Sequence, residues 1–189
     1  MALARRVGIY GGTFDPIHKG HLHLIRQLLE SGSVDEVIVI PAGNPWMREN
    51  APRASAQDRL AMVKLAIVEF PAEIQAKVSV SELEVNRVGA SYTIDTVKEL
   101  QQARPGLRWS LIIGSDVRAG LEKWHRSEEL QTLVEVLTIA RDGEGLNIDA
   151  LPVSATQIRA SIQADRKEEA DLPEPIWTYI KERNLYASK

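Results

Sequence analysis

The chain of 189 residues is 44% hydrophobic and 26% charged, with a net charge of −3. That length suits one domain with a sizeable core, and the slight acid excess argues against a protein that coats nucleic acid through bulk positive charge. The absence of cysteine excludes a disulfide framework, a thiolate metal site and thiol catalysis, and is compatible with a cytoplasmic protein.

The opening MALARRVGIYGG has too short an apolar run for a signal peptide, and no stretch approaches the roughly 20 apolar residues of a membrane span. Residues 7–10 (VGIY) form an apolar run ended by Gly11 and Gly12 and predict a buried strand. From 18 to 29 the apolar residues Leu22, Leu24, Ile25, Leu28 and Leu29 recur with helical spacing. Residues 37–40 (VIVI) predict a second strand, stopped by Pro41. Residues 41–54, with Gly43, Pro45 and Pro52, predict a long loop of the kind that often carries function. Ser55 to Asp58 has the form of a capping box opening a helix to about Phe70.

Further along, a third strand is predicted over 77–85, a helix over 93–104 and a fourth strand over 109–113. A short helix over 127–133 and a fifth strand over 134–140 follow, then C-terminal helices over 154–163 and 175–183. Strands alternating with helices predict an α/β chain with a mostly parallel sheet, helices on both faces, and ligands at the carboxyl ends of the strands. No linker or repeat divides residues 1–189, so one domain is expected, with the helices from about 154 packed on the core.

Three of the four histidines, His18, His21 and His23, fall within six residues. His18 and His21 share a face of a first helical turn just beyond a strand. Two imidazoles, the Thr13 hydroxyl and the N–H groups of a helix start are donors suited to a triphosphate and to charge developing at phosphorus. Gly11 and Gly12 let backbone approach a ligand, and Gly20 removes bulk between the histidines. Zinc held by His18, His21 and either His23 or Asp15 is the competing assignment, but no metalloenzyme motif such as HExxH accompanies it. Near the other end, Ser154, Thr156 and Arg159 open a helix and form a second candidate anion site.

The string GTFDPIHKGH resembles the (T/H)xGH signature of the nucleotidyltransferase superfamily, and VSATQIR resembles its second signature, (I/V)S(S/T)TxIR. With VGASYTIDTV, GSDVRAGLEKWHR and LPEPIWTYIKERNLY, nearly the whole chain resembles the bacterial nicotinate-nucleotide adenylyltransferases. The resemblance implies a Rossmann-like nucleotidyltransferase fold and transfer of AMP from ATP to nicotinate mononucleotide. It implies that His18 and His21 are catalytic. Gly11, Gly12, Thr13, Arg48, Asp116, Ser154, Thr156 and Arg159 then bind ATP, and Tyr92, Thr93, Trp124 and His125 surround the pyridine nucleotide. Mg²⁺ is expected to ride in on ATP, since no dedicated carboxylate cage is visible. Trp109 and Trp177 are assigned to packing, and Asp95 to the first turn of its helix. Alternatives are an adenylyltransferase for phosphopantetheine or nicotinamide mononucleotide, a hydrolase with metal on the histidines, and a non-catalytic nucleotide sensor. A homo-oligomer stays open.

Two departures from the family pattern stand out. The loop after the second strand lacks the PPHK-like string, reading Asn44-Pro-Trp-Met-Arg48, with Trp46 a candidate lid. Ala155 stands where the second signature has a hydroxyl, and the connection over 141–150 looks trimmed.

Overall fold

The computed structural model describes residues 4–46, 50–140, 146 and 151–187. Five strands, β1 (Arg6–Gly12), β2 (Glu36–Pro41), β3 (Val78–Val80), β4 (Arg108–Gly114) and β5 (Glu135–Ile139), form one sheet in the order β3-β2-β1-β4-β5. Every pairing is parallel. The chain therefore winds outward from β1 through β2 and β3, then crosses back to lay β4 on the other side of β1. The helices are α1 (Lys19–Glu30), α2 (Ala56–Ile67), α3 (Ala72–Gln75), α4 (Thr93–Ala103), α5 (Ser115–Arg118), α6 (Ser127–Leu133), α7 (Ala155–Gln163) and α8 (Glu174–Glu182). None of the described helices is long and apolar enough to cross a membrane.

The two faces of the sheet are buried separately. Val37, Val39 and Ile112 pack with α1, α2, α7 and α8, while Val7, Ile9, Ile38, Ile40 and Leu111 pack with α4 and α6. Successive residues of β2 thus enter opposite cores, which is why VIVI is apolar throughout rather than alternating. Trp109 and Trp177 are both buried core residues, one in each cluster.

Several boundaries differ from expectation. β1 runs through Gly11 and Gly12, which pair with Ile40 and Pro41. Pro41 can end β2 because β3 pairs only with Val37–Val39, so no donor is needed from Pro41. β3 has three residues rather than nine: after the Ser81 N–H reaches the Val39 carbonyl, a turn closes from Asn86 back to Glu82. α2 stops at Ile67, as Glu69 and Phe70 bond three residues back in a tightened turn before Pro71. The short helices α3 and α5 have too few residues to show periodicity.

Ser55 caps α2 as expected, its hydroxyl accepting the Asp58 N–H at 3.0 Å. It also donates to the Asp58 carboxylate at 2.6 Å. Asp58 further accepts from the Tyr179 hydroxyl and Arg183, which ties α2 to α8. The Ser55 hydrogen bond leads in holding the Asp58 carboxyl below its ordinary value, with Tyr179 and Arg183 adding to it against the opposing effect of burial. The stability this supplies is present above the ordinary carboxyl pKa of 3.8 and is lost as pH falls through the lower folded value. Asp58→Asn should therefore cost about 1–3 kcal/mol at pH 7 in denaturant unfolding, and the gap to wild type should close below pH ~3.

Candidate active site

A cavity of about 430 Å³ opens at the carboxyl ends of β1 and β4, where the winding direction reverses. In open α/β sheets ligands bind at this reversal. A second cavity of about 310 Å³ adjoins it toward the start of α7. Gly12, Thr13, His18, His21 and Val153 line both. The histidine pair thus stands where the two chambers meet.

His18 is the N-cap of α1 and is 7% exposed. Its backbone N–H donates to His21 Nδ1 at 3.2 Å. Neutral His21 that accepts at Nδ1 carries its proton on Nε2, so it offers a donor from the far side of the ring. The two imidazoles stack with centroids 3.6 Å apart, and the Phe14 ring meets His21 edge-on. His21 is therefore clamped between an imidazole and a phenyl ring. His23, one turn further on α1, lines neither cavity.

The glycines divide. A Cβ on Gly11 would meet nothing within 4 Å, so its edge of the cavity is open to a ligand. A Cβ on Gly12 would meet the Phe14 ring at 2.8 Å, and one on Gly20 would meet His18 Nδ1 at 3.1 Å. Gly20 lines the larger cavity, and the lack of a Cβ there also leaves room for the His18 ring.

Arg159 reaches across from α7 to the first signature, Nη1 donating to the Asp15 carbonyl at 2.7 Å and Nη2 to Thr156 Oγ1 at 3.1 Å. Ser154, Ala155 and Arg159 line the smaller cavity; Thr156 lines neither and props Arg159 instead. Ser154 occupies the N-cap of α7 but makes no side-chain capping bond, leaving its hydroxyl exposed beside the cavity. The Asp15 carboxylate, 5% exposed, accepts from the Arg53 and Ala54 N–H groups and the Tyr186 hydroxyl. It is thereby committed to holding the loop end and the C-terminal segment.

At the other end of the larger cavity, Tyr92, Thr93, Asp116, Trp124 and His125 all line the wall. Tyr92 and His125 stack with centroids 4.1 Å apart, and Trp46 meets Tyr92 edge-on at 5.4 Å. Tyr92 is the N-cap of α4, so the helix start opens toward the aromatic rings. Ser91 exchanges two hydrogen bonds with Asn44, joining this corner to the loop after β2. Arg48 lies outside the described residues, as does most of 141–150.

Two polar residues at the site carried no signal in the motifs. Glu84, just past β3, is 8% exposed, lines the larger cavity and accepts from Thr96 Oγ1 at 2.9 Å. Arg59 on α2 is 1% exposed and donates to three backbone carbonyls, those of Thr13, Gly43 and Ala54. Arg59 does leave a trace in the sequence: with Met62, Val63, Ala66 and Ile67 it occupies the buried stripe of its helix, where a charge is out of place. Among the described residues no three His, Cys, Asp or Glu side chains form a group that could hold a metal ion.

The sequence model of the cytidylyltransferase-like family matches residues 9–162. A probable nicotinate-nucleotide adenylyltransferase of Synechococcus sp. (strain JA-2-3B'a(2-13)) is 36% identical over 96% of this chain and 97% of its own length. One from Methylibium petroleiphilum is 38% identical over 97% and 93%. The structure of the Plasmodium falciparum nicotinic acid mononucleotide adenylyltransferase complexed with NaAD superposes with a TM-score of 0.74 at 19% identity, covering 96% of this chain and 97% of that one. The chain belongs to the cytidylyltransferase-like family and, within it, to the family of the nicotinate-nucleotide adenylyltransferases.

Burial is the main cause that pushes the Glu84 carboxyl above its ordinary value, against the pull of the Thr96 hydrogen bond and Arg87. An acid raised in this way favours the fold below its unfolded pKa, and that contribution is lost as pH rises through the folded value. Glu84→Gln keeps an acceptor for Thr96 and removes the buried charge. The variant should melt above wild type at pH 8 and no higher than wild type at pH 4, read by thermal unfolding.

Proposed function

We propose that this chain transfers the adenylyl group of ATP to nicotinate mononucleotide, giving deamido-NAD and pyrophosphate, as a step in NAD biosynthesis. The observation that carries it is the junction: His18 and His21 stand where a polar chamber under α7 meets a chamber walled by Tyr92, Trp124 and His125. The names of the bacterial relatives, and NaAD in the Plasmodium complex, support the same reaction.

The phosphate of nicotinate mononucleotide attacks the α-phosphorus of ATP in line. A new P–O–P bond forms, the bond between the α- and β-phosphates breaks, and its electron pair leaves with pyrophosphate. The substrate supplies the nucleophile, so the protein's work is positioning and charge stabilisation. His21, with Nε2–H as donor, and His18 beside it stabilise the charge that builds on the α-phosphoryl oxygens. Gly11 lets the nucleotide lie against β1, and Gly12 makes room for the Phe14 ring behind it. Thr13, Ser154, Arg159 and Arg48 hold the departing phosphates, with Thr156 steadying Arg159. Asp116 accepts from a ribose hydroxyl. Trp124, Tyr92 and His125 face the pyridinium ring, and Thr93 at the start of α4 supplies N–H donors to its carboxylate. Mg²⁺ brought in with ATP would neutralise charge on the phosphate oxygens. The enzyme so proposed is cytoplasmic, acts as one domain on two small molecules, and leaves a homo-oligomer open.

A coupled assay with ATP should give product from nicotinate mononucleotide and far less from nicotinamide mononucleotide; equal rates would refute the acid preference. His21→Ala should lower kcat on the order of 100- to 1,000-fold while the protein stays folded. Near-normal turnover by that variant would overturn the assignment. Trp124→Ala should raise KM for the mononucleotide about tenfold, with kcat less affected.

A further inference from the structure

We infer that Arg59 is a positioning residue of this active site: its buried guanidinium fixes the backbone of the first signature against the loop after β2, and thereby the placement of Thr13 beside the histidine pair. The inference rests on the adenylyl-transfer function proposed above.

Arg59 is the largest of the fully buried side chains among the described residues, at 1% exposure. Nη1 donates to the Thr13 carbonyl at 2.6 Å, Nη2 to the Gly43 carbonyl at 3.2 Å, and Nε to the Ala54 carbonyl at 3.4 Å. Removing a guanidinium from water costs several kcal/mol unless its donors are satisfied. A helix that needed only an apolar residue in this stripe would be served by Leu or Met without that cost. What Arg alone supplies is a planar fork of donors that reaches three carbonyls at once.

The three carbonyls belong to two stretches of chain, the turn after β1 and the two ends of the loop after β2, and each is tied to the site. Thr13 lines both cavities. Gly43 precedes Asn44, whose backbone N–H and carbonyl pair with Ser91 on the aromatic side. Ala54 also gives its N–H to Asp15, two residues beyond Thr13. The guanidinium thus joins the polar end and the aromatic end of the site to one long helix. Lysine keeps the charge, but its three donors radiate from a single nitrogen and cannot span these acceptors.

The test is kinetic. Arg59→Lys is compared with wild type and with Tyr179→Phe, a control that loses a hydrogen bond on the same side of α2, at a temperature where circular dichroism shows all three folded. Arg59→Lys should lose kcat on the order of 10- to 100-fold, with KM for nicotinate mononucleotide within about threefold of wild type. Tyr179→Phe should melt lower with kcat unchanged. A Lys variant that melts lower but keeps wild-type kcat makes Arg59 a stability residue and overturns the inference. If Arg59→Lys does not fold, amide exchange on the ligand-free wild type decides. Protection of the Ala42, Asn44 and Ala54 amides, which bond to Gly12, Ser91 and Asp15, equal to that of the α2 core supports a fixed backbone, and fast exchange there overturns it. Wild type that forms no product refutes the proposed reaction; active wild type with an indifferent Lys variant refutes only the role of Arg59.

Discussion

Residues 13–15 leave β1 with polar groups turned into the protein, and remote segments must supply their partners. The Thr13 carbonyl takes a hydrogen bond from Arg59, the Asp15 carbonyl takes one from Arg159, and the Asp15 carboxylate takes three more. Between them Phe14 is held at φ +50°, a left-handed conformation that costs a non-glycine residue on the order of 1 kcal/mol. Such a residue persists only where its surroundings over-determine it. Its ring lies over Gly12 and against His21, so the strained residue is also what orients one of the two histidines. Buried carbonyls and a buried carboxylate cannot go unpaired cheaply, which locks the loop end, α2, α7 and the C-terminal segment to this one turn.

The sheet explains why that turn is the right place for chemistry. Because β4 returns to the far side of β1, the connections after the two strands splay apart and leave the larger cavity between them. One flank is closed by α1 with its histidines and the other by the start of α4 with its aromatic ring. The protein is acidic overall, so attraction for a triphosphate has to be local. Arg159, the two imidazoles and the starts of α1 and α7 stand around the two cavities and are the groups proposed to supply it.

Much of this was legible in the sequence, because apolar periodicity reports burial and short motifs report local turns. All five strands and the six longer helices follow from those two signals, and the strand-end position of His18 and His21 from the second; that Tyr92, Trp124 and Arg159 gather with them was implied by the family resemblance. The failures share a cause. The third strand was too long because alternation continues past the point where a neighbour is present to pair with it. The spacing of Thr156 in the second signature points to a ligand contact, yet its hydroxyl turns to Arg159 and lines neither cavity. Arg59 and Glu84 belong to no motif; periodicity shows a charge out of place at Arg59 but does not record the Thr13 and Gly43 carbonyls it bonds, nor Thr96 beside Glu84.

The hydrogen bond from Tyr186 to Asp15 joins residues 171 positions apart. A ribosome releases the first signature early, together with β1 and α1, while the segment bearing Tyr186 is still to be made. Until that segment emerges, the Asp15 carboxylate lacks one of its donors and the strained turn at Phe14 lacks part of its support. Arg159, from α7, also arrives late. The smaller cavity, walled by Arg159 and propped through Asp15 by Tyr186, is therefore completed only after β1 to β5 have been made.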